Sequence, residues 1–228
     1  MVARLLQVCG LFLGPEKELG FDTNNGEPHW ENVRFVALND KILNRLGGSW
    51  DNPPKLLAGW EHTPEFEPLR SQAKKLIKCF RGQHHWGWKD PRNSLTLPFW
   101  RQIVPDLRLV ICLRNPLEVS HSLRVRGDLI SMPLFQLWLT YYRGLLSAIP
   151  PQQRVVTHYQ SYFQDPTAEL QRVANAIGME VSAEVINRAC AHISGNLRHH
   201  RVKRGELAAM SVPDEVQALY LRLCQEAL

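Results

Sequence analysis

Two short segments combine residue types that bind and orient anions. Lys89-Asp90-Pro91-Arg92 sets a cation, a carboxylate and a guanidinium side by side, and Arg114-Asn115-Pro116-Leu117-Glu118-Val119-Ser120-His121-Ser122 sets an arginine eight residues before a serine. The Arg114 guanidinium presents a planar fork matched to a phosphate, and the Ser122 hydroxyl adds one more donor. A helix starting at Pro116 carries Ser122 onto the surface that also holds Asn115, Glu118 and Val119, because residues three and four apart share a helix face. Each segment also has a plainer reading. Arg114 can be a surface arginine paired with Glu118, and Lys89-Asp90 can be a turn and cap, since Asp before Pro is a turn pattern. The two segments together, in this order, favour anion binding.

Such side chains need a rigid support. The nearly continuous apolar run Leu107 to Leu113 reads as a buried strand that delivers Arg114 to its end, and Pro116 suits the first position of a helix running to about Arg126. His85 to Lys89 is a candidate strand with Trp86 and Trp88 on one side, followed by a helix from about Ser94 to Ile103. Strand, helix, strand is a crossover unit and predicts a parallel sheet. Ligands of such sheets sit beyond the carboxyl ends of the strands, where both segments fall.

Elsewhere the periodicity predicts a helix over Met1 to Cys9, a loop over Gly10 to Pro28, and an amphipathic helix over Asn32 to Leu46, capped by Asn32 and stopped by Gly47-Gly48. Trp50 to Pro68 reads as an irregular connection and Leu69 to Phe80 as a helix. A long helix carries Leu134, Trp138, Tyr141 and Leu145, Arg154 to His158 is a strand, and Pro166 to Ile177 is a helix closed by Gly178. Two more helices, around Ser182 to His192 and Pro213 to Ala227, flank the basic segment Arg198 to Arg204. The fold class expected is α/β, as one domain over residues 1–228 with three layers and one mostly parallel central sheet.

Arg-Asn-Pro-x-Glu-Val-x-x-Ser resembles the 3′-phosphate-binding motif of sulfotransferases that use 3′-phosphoadenosine 5′-phosphosulfate (PAPS). The upstream Lys-Asp-Pro-Arg resembles the strand end preceding that motif in bacterial and protein-tyrosine members. His158-Tyr159-Gln-Ser, then Asp165-Pro166 and a helix ending in Ile177-Gly178, is similar to their downstream stretch, and order and spacing agree over roughly 30–178. The resemblance implies a P-loop nucleotide-kinase-like fold, with PAPS as co-substrate and no metal. Arg114 and Ser122 would hold the 3′-phosphate, Tyr159 would lie near the adenine, and Lys89 would stabilise charge on the transferred or leaving oxygen. Glu31 and Asp90 are the candidate bases, Glu31 being preferred, and Lys203 and Arg204 are candidates to close over the donor. The plainer readings are a dipole-favoured carboxylate for Glu31, a core side chain for Tyr159 and a solvated basic face for Lys203 and Arg204.

The sequence departs from that family at one point. Members open with a strand and a glycine-rich turn of the type Gly-x-Pro-Arg-Ser-Gly-Thr-Ser, whose N–H groups cradle the 5′-phosphosulfate. The 228 residues contain no such turn, and Met1-Val-Ala-Arg-Leu-Leu resembles the helix that follows it. The first strand is therefore expected to be missing, with weak donor binding and little or no transfer by these residues alone. A non-catalytic nucleotide-binding remnant is the rival expectation. A nucleotide kinase is disfavoured, because no Gly-x-x-x-x-Gly-Lys-Ser/Thr loop occurs.

Composition agrees with an ordinary globular protein: 228 residues, 44% hydrophobic and 21% charged. With 27 Lys+Arg against 22 Asp+Glu the net charge is +5, which suits an anionic donor and needs no nucleic acid. Five widely spaced cysteines without a CxxC pair indicate neither a disulfide scaffold nor a zinc site, and a cytoplasmic protein with reduced thiols is expected. The apolar start reads as a helix rather than a secretion signal, since Gln7 and Gly10 interrupt it, and no membrane association is expected. Adjacent histidines at 84–85 and 199–200 lack partners at ligand spacing. The acceptor, a small molecule, carbohydrate or peptide bearing a hydroxyl or amine, and the oligomeric state are not encoded in any motif.

Overall fold

The computed structural model describes residues 1–21, 28–125, 130–193 and 212–228. The apolar run becomes strand β3 (Leu109–Leu113), which pairs in parallel with β4 (Arg154–His158), Leu109 opposite Arg154 and Leu113 opposite His158. Between them the chain crosses over through α5 (Pro116–Val125) and α6 (Leu134–Ala148). A parallel pair cannot be closed by a tight turn, so a helical crossover is the required connection.

Alternate strand residues enter two different cores. Ile111, Leu113 and Val156 pack with Trp138 and Leu139 of α6 and with Val216, Tyr220 and Leu223 of α9 (Asp214–Glu226). Val155 and Val110 face the opposite way, toward α1 (Val2–Val8), α7 (Pro166–Ala176) and α8 (Ala183–Cys190), where Leu5, Tyr162, Leu170 and Ile186 are buried. Helices thus cover both faces of the strand pair, and an uninterrupted apolar strand is the sequence signature of that arrangement.

A third core joins α2 (Val33–Arg45), α3 (Glu67–Lys78) and α4 (Asn93–Arg101) around Phe35, Ile42, Phe66, Ile77, Phe99 and Trp100. Asn32 caps α2, accepting from the Arg34 N–H at 3.1 Å. Helix α4 meets α6 at Gly144, where a β-carbon would lie 2.4 Å from the Ser94 carbonyl oxygen, so only glycine permits that approach.

Two expectations are corrected. The stretch expected as a loop over Gly10 to Pro28 contains a hairpin strand, β1 (Leu19–Phe21), antiparallel to β2 (Pro28–Asn32). Neither strand carries an apolar alternation that could have revealed it. The strand expected over His85 to Lys89 is reduced to a single parallel bridge between Trp86 and Phe12. Its tryptophans turn into the third core, Trp88 stacking on Phe35 at 4.4 Å and Trp86 lying 5.9 Å from Phe80, and aromatic packing takes the place of a ladder. Among the described residues the strands consequently form two two-stranded sheets rather than one larger sheet.

Candidate functional site

The Lys89 to Arg92 turn is held from below by a buried polar network. Asp90 is 5% exposed, and its carboxylate accepts from Asn39 Nδ2 at 2.8 Å, the Arg92 N–H at 2.9 Å and Arg92 Nη1 at 3.0 Å. Asn39 in turn accepts from Thr96 Oγ1 at 2.7 Å and Trp100 Nε1 at 2.8 Å and donates to Asn93 Oδ1 at 3.0 Å. Arg92 also donates to Asp40 at 2.5 Å. Burial by itself lowers the Arg92 guanidinium, but the Asp90 and Asp40 carboxylates outweigh it and hold the group above its ordinary value. Asp90 is thereby occupied in fixing the turn, whereas Lys89 leaves the turn toward an open cavity.

Lys89 forms an ion pair with Glu31, which is 58 residues away in sequence. An irregularity in β2 makes this contact. Between the pairings Leu19 with Asn32 and Phe21 with Pro28, β2 carries two more residues than β1, and Trp30 inside that bulge has φ of 58°. Left-handed backbone at a bulky residue is uncommon and costs about 1 to 3 kcal/mol, and bulges re-aim side chains. Here the bulge presents Glu31 to Lys89 and Trp30 to the cavity.

Arg114 and Tyr159 meet beyond the carboxyl ends of β3 and β4 because of strand register. Leu113 lies opposite His158, so the residues that follow each strand leave the sheet side by side, and the Tyr159 N–H donates to the Leu113 carbonyl at 2.8 Å. The Arg114 guanidinium lies 5.0 Å from the Tyr159 ring centroid and donates through Nε to Glu118 at 3.2 Å. Its side chain is 28% exposed, and its two Nη atoms have no acceptor among the described residues. Asn115 caps α5 by accepting from the Leu117 N–H at 2.9 Å. Ser122 is half-buried one turn beyond Glu118 on the same face of α5.

A cavity of about 730 Å³ joins these groups, bordered by Lys89, Asp90, Trp30, Tyr159, Cys112 and Tyr142. Glu31 reaches it through Lys89 and Arg114 through Tyr159, while Ser122 is not on its lining. Lys203 and Arg204 lie outside the described residues. Sequence reasoning missed Trp30, Cys112 and Tyr142, which carry no motif. Cys112 is exposed and opens into the cavity. Burial pushes its thiol up to about 11, against the opposing charges of the N-terminal amine and Lys89. Among the described residues no cluster of histidine, cysteine and carboxylate side chains is arranged to hold a metal, and no helix is long and apolar enough to cross a membrane.

The arrangement offers a guanidinium beside an aromatic ring that borders the cavity, and an ammonium–carboxylate pair whose ammonium group borders it too. No protein-family model matches the chain, and no solved structure matches it. Among curated proteins, it is 24% identical over 108 residues to a Caenorhabditis briggsae protein named "Putative protein-tyrosine sulfotransferase", covering 43% of this chain. The aligned part spans 39% of that relative's length.

Proposed function

We propose that the chain is a sulfotransferase-type protein of the P-loop-like, three-layer α/β class that takes PAPS as donor and a hydroxyl or amine acceptor. The observation that carries this reading is the pairing of β3 with β4, which sets Arg114 against Tyr159 at a cavity that Lys89, paired with Glu31, also lines. The relative named as a protein-tyrosine sulfotransferase supports it.

The residues present fit such a donor. The two Arg114 Nη atoms match the bidentate demand of a 3′-phosphate, Ser122, one helical turn beyond Glu118, would add a donor, and the Tyr159 ring offers an adenine a flat apolar neighbour. Lys89 supplies positive charge where the phosphate oxygen becomes the leaving group, as the sulfur–oxygen bond to the donor breaks and the bond to the acceptor oxygen or nitrogen forms. Glu31 receives the acceptor's proton. Preplaced charge and alignment are the main sources of acceleration in such transfers. Asp90 holds the turn that carries Lys89.

A second reading is a protein that binds the nucleotide without transferring sulfate. Calorimetry with adenosine 3′,5′-bisphosphate tests the site common to both: we expect weak binding that Arg114→Ala weakens further. Absence of heat at saturating nucleotide overturns both. Turnover of sulfur-labelled PAPS with a panel of phenols, sugars and amines then separates them.

A further inference from the structure

Arginines gather at the end of β4 opposite to Tyr159. β4 begins at Arg154, beside the carboxyl-terminal parts of α4, α6 and α9, and an open cavity of about 520 Å³ is lined there by Arg101, Arg154 and Arg222. It shares no lining residue with the larger cavity.

The three guanidinium groups are held differently. The Arg154 side chain is 8% exposed and is neutralised by Glu226, to which Nε and Nη2 donate at 2.6 and 2.9 Å, while Nη1 donates to the Ile149 carbonyl at 3.1 Å. Arg101 donates through Nη1 to the Ala148 carbonyl at 2.6 Å and through Nη2 to Gln153 at 3.1 Å, and its Nε is buried without an acceptor. Those partners fix the plane of the fork but leave its charge uncancelled, since a carbonyl at a helix end carries only a fraction of a charge. Arg222 is exposed and has no hydrogen bond or ion pair among the described residues. Glu226, one turn further along α9, is already engaged by Arg154. Among the described residues, two guanidinium charges at one cavity therefore lack a carboxylate within ion-pair distance.

The rest of the wall is largely apolar. Leu146, Pro150 and Pro151 continue the lining, and the prolines fix their own backbone angle φ. A dianion neutralises both free guanidinium charges, whereas a monoanion leaves one unopposed. A guanidinium already locked by two acceptors gives up little freedom when its remaining N–H groups meet phosphate oxygens.

We propose that this cavity binds a small organic phosphate monoester, its dianionic phosphate held by Arg101 and Arg222 and its organic part lying against Leu146, Pro150 and Pro151. The site is separate from that of the nucleotide and does not depend on the donor assigned above.

The test uses the full chain and phenyl phosphate, followed by calorimetry and by the thermal midpoint at about pH 7.5, where a phosphate monoester is close to doubly charged. Arg114→Ala serves as the background, so that phosphate at the nucleotide site does not contribute. Phenyl phosphate should bind this protein with a Kd of about 1 mM or tighter and raise the midpoint. Arg222→Gln, a change at an exposed side chain without partners among the described residues, should weaken it about tenfold or more. Benzenesulfonate, the same ring with a single charge, should bind about tenfold more weakly, and inorganic phosphate, which cannot use the proline wall, about fivefold more weakly. No heat with about 10 mM phenyl phosphate overturns the proposal, as does an affinity that Arg222→Gln leaves unchanged. Equal binding of benzenesulfonate overturns the dianion, and equal binding of inorganic phosphate overturns the organic part. Binding seen in the parent and lost in Arg114→Ala places the probe at the nucleotide site and overturns the proposal as well. The adenosine 3′,5′-bisphosphate titration of the parent reads a different set of residues, so the two results fail independently.

Discussion

Replacing Asp90 by alanine separates a side chain that builds the site from one that reacts in it. Its carboxylate accepts three hydrogen bonds, two of them from Arg92, and its side chain is fully shielded from solvent. Truncation leaves a buried guanidinium short of one carboxylate, a change of about 3 to 5 kcal/mol where no second partner exists. Arg92 keeps Asp40 and Asn39 keeps Asn93, so about 3 kcal/mol is the expected loss. For a chain of this size that lowers the thermal midpoint by about 6 to 12 °C. Asp40→Asn, at the solvent side of the same guanidinium, should cost under about 1 kcal/mol, because Asp40 is 42% exposed and its pairing is screened. Urea unfolding followed by tryptophan fluorescence suits the measurement, since Trp88 and Trp100 both hydrogen-bond into this network. An Asp90→Ala protein as stable as its parent would refute the reasoning, and one that kept its stability while losing all turnover would make Asp90 a reacting group.

Other expectations follow from the same geometry. Arg114→Ala should weaken adenosine 3′,5′-bisphosphate binding by about 1.5 to 3 kcal/mol, the range for charge-assisted contacts, as read by calorimetry. Lys89→Met should leave that affinity within about threefold while lowering transfer by about a hundredfold or more, as expected of a group acting on developing charge, and a PAPS turnover assay distinguishes the two effects. The Cys112 thiol, pushed up to about 11 from 9.0, should alkylate slowly near neutrality, its rate rising through strongly alkaline pH. Because the folded-state value is the higher one, the thiol's contribution to stability is full below about pH 9 and is lost as pH rises toward 11, so Cys112→Ser should flatten the alkaline limb of a stability profile.

Much of the scaffold was legible in the residues themselves. An apolar run ending at Leu113, followed by Arg114-Asn115-Pro116, specifies a buried strand, a strand-end guanidinium and a capped helix, because burial, proline geometry and capping act within a few residues. The Asn32 cap and the amphipathic helix after it were legible for the same reason. Contacts that depend on long-range register were not. A bulge at Trp30 brings Glu31 to Lys89, Asn39 of one helix holds Asp90 at the start of another, and parallel pairing of β3 with β4 lays Tyr159 beside Arg114. The Trp86 and Trp88 rings, which alternation alone reads as one face of a strand, entered a helical aromatic core instead. Local propensity and spacing thus determined which side chains stand at strand and helix ends with the chemistry proposed for anion binding. Which of them share a cavity was decided by strand register and core packing, since those energies arise only when segments distant in sequence come together.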